Sequence, residues 1–107
     1  MQNILILGSG GREHALAWKI KESHNCGKLF IAPGNAGTKQ CGKNLNIAVL
    51  DFDGIEKAIE KHKIDLIIVG PEAPLVEGIY DHFKNHPVDV LGPSRASSQL
   101  EGSKAFA

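Results

Sequence analysis

The stretch GSGGREH, residues 8–14, joins an apolar run to a segment of helical composition. A glycine turn between a strand and a helix exposes backbone amides at the helix N-terminus, where the helix dipole favours an anion. Gly8, Ser9, Gly10 and Gly11 therefore form a candidate phosphate- or carboxylate-holding turn, and Arg12 can add a bidentate, charge-assisted contact. The competing reading is a plain connector. The turn fails the dinucleotide fingerprint, which needs glycine at its first, third and sixth positions. Gly8 and Gly10 fit, but Glu13 holds the sixth, where glycine would let helix and strand approach closely. The second strand ends in Ala32-Pro33-Gly34, without the acidic residue that would hold the ribose of NAD or FAD. The Gly-Lys-Ser/Thr ending of a nucleoside-triphosphate loop is missing as well.

Two further stretches have the composition of binding loops. PGNAGT, residues 33–38, has glycines that let backbone approach a ligand, and it serves equally well as a connector. In VGPEAPL, residues 69–75, Pro71 and Pro74 stiffen the loop that carries Glu72. A carboxylate so held is a hydrogen-bond acceptor for ribose hydroxyls or an amine; the alternative is an exposed turn charge. Glu13 and His14 read as a helix-start charge interaction and a solvated ring. His24, His62, His82 and His86 fall on helix ends or polar faces and read as solvated. Their spacing with Cys26 or Cys41 matches no common metal site. Trp18 reads as core packing, and no Ser/His/Asp arrangement has local support.

The elements that must position these loops follow from apolar patterning. NILIL (3–7), KLFIA (28–32) and IDLIIVG (64–70) read as buried strands, with VDVLG (88–92) as a last one and residues 46–49 as a short third. Helices are expected over 13–23, over 53–62, within PEAPLVEGIYDHFKNH after an opening loop, where Leu75, Ile79 and Phe83 stand four apart, and again beyond Gly92. Asp53 and Glu56 have capping-box spacing, which places the N-cap of the second helix at Asp53. Strands alternating with helices predict an α/β fold, a Rossmann-like parallel sheet with helices on both faces. Ligands of such sheets sit beyond the carboxyl ends of the strands. That rule gathers residues 8–14, 33–38, 70–74 and 92–95 on one rim.

Twelve basic and twelve acidic residues cancel, so no charge surplus recommends nucleic acid or an anionic membrane as partner. Two cysteines make no disulfide framework, and no basic leader or long apolar run opens the chain; a cytoplasmic protein is expected. The final SSQLEGSKAFA keeps a helical pattern to the last residue, which reads as a piece of something longer.

LGSGGREHALAW, PGNAGT, VGPEAPLVEGI and GPSRASSQLEGSKAFA, in this order and spacing, resemble the N-terminal domain of the glycinamide ribonucleotide synthetase family. These are ATP-grasp ligases that join 5-phosphoribosylamine to glycine in purine synthesis, through a glycyl phosphate. The resemblance implies ATP with Mg2+ or Mn2+, held by a region beyond this segment. It implies small-molecule substrates and a monomeric full-length enzyme. Residues 1–102 would be the Rossmann-like substrate-binding domain and 103–107 the start of the ATP-grasp region, with the fragment alone inactive. Gly8, Ser9, Gly10, Gly11 and Arg12 would hold the phosphoribosyl substrate at its phosphate. Pro33, Gly34, Asn35, Ala36 and Gly37 would form another wall, Glu72 would hold ribose hydroxyls or orient the amine, and Lys104 would contact ATP phosphate. Other readings are a non-catalytic Rossmann-type nucleotide-binding module and the N-terminal domain of another ATP-grasp ligase.

Overall fold

Five strands form one all-parallel sheet in the order β3-β2-β1-β4-β5. The structure, a computed structural model, describes residues 2–92. In chain order the elements are β1 (Gln2–Gly8), α1 (Gly11–Lys21), β2 (Cys26–Pro33), a 3-10 turn (Thr38–Gln40), β3 (Lys43–Asn44), α2 (Phe52–His62), β4 (Leu66–Val69), α3 (Ala73–Val76), α4 (Ile79–Phe83) and β5 (Asp89–Leu91). The helix expected beyond Gly92, the boundary between residues 102 and 103, and Lys104 lie outside the described residues.

β1 sits at the centre of the sheet, and its apolar run is buried on both sides because successive side chains point to opposite faces. Leu5 and Leu7, with Ile67 and Val69 of β4, pack against Ile55 and Ile59 of α2 and Ile79 and Phe83 of α4. Ile4 and Ile6, with Leu66 and Ile68, pack against Ala17 and Ile20 of α1. Helices thus cover both faces, as the alternating pattern predicts. At the amino ends of the strands Asn3 acts as a clasp. Its Oδ1 accepts from the Lys28 amide at 3.0 Å, and its Nδ2 donates to the carbonyls of His62 and Lys63.

Four expectations need correction. Residues 46–49 are not a strand; β3 is the two-residue Lys43–Asn44, followed by a bonded approach of the Leu45 amide to the Ile31 carbonyl at 2.7 Å. Ile47 and Val49 pack on the core from irregular backbone, so the apolar pattern reported burial rather than pairing. The N-cap of α2 is Asp51, whose carboxylate accepts from the Gly54 amide at 3.1 Å. The helix expected within PEAPLVEGIYDHFKNH is two short helices, divided where Gly78 takes φ 86°, in the left-handed region open to glycine. Trp18 is exposed rather than in the core, with the Lys21 ammonium 4.8 Å above its ring, because α1 buries the face of Glu13, Ala17 and Ile20.

Candidate functional site

The loops after β1 and β4 leave the sheet in opposite directions, since α1 covers one face and α4 the other. A crevice opens between adjacent strands where this happens, at the topological switch point. Here it lies over Gly8 and Gly70, which are side by side: the Gly70 amide donates to the Leu7 carbonyl at 3.0 Å. Gly8 takes φ 137°, so a side chain would be strained there. A Cβ at either glycine would collide with the Glu13 carboxylate.

Above this floor is a cavity of about 460 Å³, bounded by the Gly8–Gly10 turn, Glu13, Pro33, Ala48, Val49 and Pro71. Such a volume suits a small ligand. Of the residues expected at the site, Gly8, Ser9, Gly10 and Pro33 line this cavity. Gly11 and Arg12 are exposed in the first turn of α1, outside the lining. Gly10 is the N-cap, and among the described residues no side chain caps the helix, so the first amides of α1 have no side-chain acceptor there. Glu72 is exposed at the start of α3 and does not line the cavity.

Gly34, Asn35 and Gly37 stand behind the glycine turn and support it. The Gly34 amide donates to the Gly8 carbonyl at 3.0 Å. Asn35 Nδ2 donates to the Ser9 carbonyl at 2.8 Å and the Gly10 carbonyl at 3.3 Å, while its Oδ1 accepts from the Thr38 amide at 2.9 Å. Thr38, wholly buried, accepts from the Asn35 amide at 2.7 Å, and its one hydroxyl proton is shared between Asn44 Oδ1 at 2.8 Å and the Asn35 carbonyl at 3.0 Å. Gly37 leaves the space that the His14 ring fills, so His14 is a packing contact between α1 and the loop after β2 rather than a solvated ring.

Glu13, whose place in the first turn of α1 reads as a helix-start charge interaction, is instead packed into the site. It is 7% exposed, and its side chain lies over Gly8, Gly10 and Gly70. The helix still packs closely on the strand, because two glycines at the carboxyl ends of β1 and β4, not one in the helix, make the room. Ala48, Val49 and Pro71 were also missed as lining; only the rim rule, which includes 70–74, carried a signal for Pro71. His82 and His86, expected to be solvated, are each about one-third exposed (33%) and face Glu56 at 3.4 and 3.1 Å. Burial pushes the Cys26 thiol above its ordinary range, so it is a poor nucleophile.

Residues 2–101 match the family model described as "Phosphoribosylglycinamide synthetase, N domain". The chain belongs to this family. It is 53% identical over 106 residues to a phosphoribosylamine–glycine ligase of Haemophilus influenzae, covering 97% of this chain and 25% of that protein. It is 49% identical over 104 residues to the enzyme of the same name from Rhodopirellula baltica, covering 97% and 24%. A crystal structure of phosphoribosylamine–glycine ligase from Thermotoga maritima is similar at a TM-score of 0.52 and 35% identity, over 67% of this chain and 16% of that one. The chain thus spans about a quarter of the length of the curated relatives it matches. Membership of the N-domain family agrees with the α/β sheet and the rim described above.

Proposed function

We propose that this chain is the substrate-presenting domain of an ATP-dependent ligase that joins 5-phosphoribosylamine to glycine. The observation that carries the reading is the family match across residues 2–101, a segment whose glycine turn and neighbouring loops converge on one cavity at the switch point. The first amides of α1, with Arg12, are suited to the substrate phosphate. Glu72, at the carboxyl end of β4, is suited to a hydroxyl or amine reaching past the cavity. Residues 33–37 hold the turn in shape from behind. Residues 1–102 would act as this domain, and Lys104 would contact ATP phosphate at the start of the region that follows.

ATP and a Mg2+ or Mn2+ ion fall to that further region. Among the described residues no set of metal ligands lines the rim; the one cluster of ligand atoms within 4.8 Å, Asp53, Glu56 and His82, belongs to α2 and α4 and lies outside the cavity lining. The chemistry supplied there is activation of glycine as an acyl phosphate. The amine nitrogen held by this domain bonds to the acyl carbon, the carbon–oxygen bond to phosphate breaks, and a proton leaves the nitrogen. This domain contributes position: bringing two reactants into register makes the step effectively unimolecular.

The test is a steady-state assay of the full-length ligase carrying this domain. ADP release is expected only when glycine and phosphoribosylamine are both present, and no turnover is expected from the 107 residues alone. ADP release that ignores phosphoribosylamine would overturn the reading.

A further inference from the structure

Glu13 is a buried residue, 7% exposed, with its carboxylate against Gly8, Gly10 and Gly70, yet among the described residues nothing hydrogen-bonds or ion-pairs with it. Burying such a group without a partner is costly. No polar side-chain atom of the described residues is both sealed from the surface and unsatisfied. The carboxylate therefore keeps its opening toward the cavity that it lines. Among the described residues it is the one charged side chain on that lining, with small and apolar neighbours such as Pro33, Val49 and Pro71.

Its position also constrains the ligand. A dinucleotide pyrophosphate, or a phosphate set in the crook of a glycine turn, would lie against Gly8 and Gly10. The carboxylate occupies that crook, 3.2 Å from where a Cβ on Gly10 would stand. Two negative groups there would repel in a site of low dielectric. A carboxylate accepts hydrogen bonds only, so its natural partner is a group carrying O–H or N–H donors.

We propose that Glu13 is a substrate-contacting residue that takes the donor-bearing end of a sugar phosphate, its ring hydroxyls or anomeric amine, over Gly8 and Gly70. The phosphate end then lies outward, on the amides of Gly11 and Arg12. This inference rests on the reading of the domain as the holder of a phosphoribosyl substrate, and it fixes which way round the substrate sits. It also gives the failed dinucleotide fingerprint a cause: glutamate at the sixth position refuses a pyrophosphate and accepts a sugar.

The test uses the full-length ligase carrying this domain, with ribose 5-phosphate and inorganic phosphate as probes in calorimetric titrations of wild type and Glu13→Gln. Glutamine keeps the size of the side chain, so the fit over Gly8 and Gly70 survives, and an unchanged melting temperature verifies it. Ribose 5-phosphate affinity is expected to fall about tenfold or more in Glu13→Gln, as charge-assisted acceptance is lost. Inorganic phosphate affinity is expected to hold or rise. Equal affinity of the two proteins for ribose 5-phosphate would overturn the inference, as would a parallel fall for inorganic phosphate. The ligase assay is read separately: a wild type that binds ribose 5-phosphate, loses it in Glu13→Gln and yet makes no glycinamide product would sink the ligase reading and leave the Glu13 contact standing.

Discussion

Asn35 uses both ends of its carboxamide inside the protein, donating to the carbonyls of Ser9 and Gly10 and accepting from the Thr38 amide. The glycine turn has few side chains of its own, so its shape depends on this brace from the neighbouring loop. Replacing Asn35 by alanine strands those carbonyls and the Thr38 amide. Urea unfolding should report a loss of about 0.5–1.5 kcal/mol, because water can take over the exposed Ser9 and Gly10 carbonyls and only the Thr38 amide is partly buried. A loss within the measurement error would mean that the turn holds itself. Residue types alone pointed to PGNAGT as a binding loop or a connector, and the contacts give Asn35 a third task. Glu13 was illegible for a related reason. Its burial depends on Gly70, 57 positions away in sequence (70 minus 13) and brought alongside Gly8 only by the pairing of β1 with β4. No local pattern announces such a neighbour.

At the scale of elements, α2 is joined to β2 through His62, whose ring lies 4.4 Å from that of Phe30. Burial, then the charges of Lys61, Lys43 and Lys28, hold the His62 ring below its ordinary value of 6.5. The folded state therefore takes up this proton less readily than the unfolded chain. Its contribution to stability is fully present above pH 6.5 and is lost as pH falls through the lower, folded value. Between about pH 7.5 and about pH 5.5, wild type should lose more stability than His62→Gln in paired urea titrations. Equal losses would remove His62 from the acid response. The strands themselves were legible, because buried parallel strands read as apolar runs: β1, β2, β4 and β5 lie where those runs are. The short β3 was not, since Lys43 and Asn44 are polar and pair at the sheet edge through backbone alone. The true cap of α2 was missed by two residues. Asp51 and Asp53 are equally good cap types, and the apolar Phe52 between them starts the helix earlier than the capping-box spacing predicts.

For the molecule as a whole, the parallel order β3-β2-β1-β4-β5 decides where chemistry can happen. It brings loops separated by dozens of residues to one rim and opens a crevice where they diverge. At the opposite, amino-end rim the Asn3 side chain ties β1 to the Lys28 amide and to the carbonyls that end α2. Full burial of Leu5, Leu7, Ile67 and Val69 beneath the rim makes the floor under Gly8 and Gly70 rigid. On the proposed function, this rim, at the β1–β4 switch point, holds a sugar phosphate. Amide hydrogen exchange of the full-length ligase, with and without ribose 5-phosphate, tests it most directly. Added protection is expected in peptides covering residues 4–18 and 66–78, with the amino-end rim around 61–65 unchanged. Protection that appears elsewhere and leaves 4–18 untouched would contradict the account.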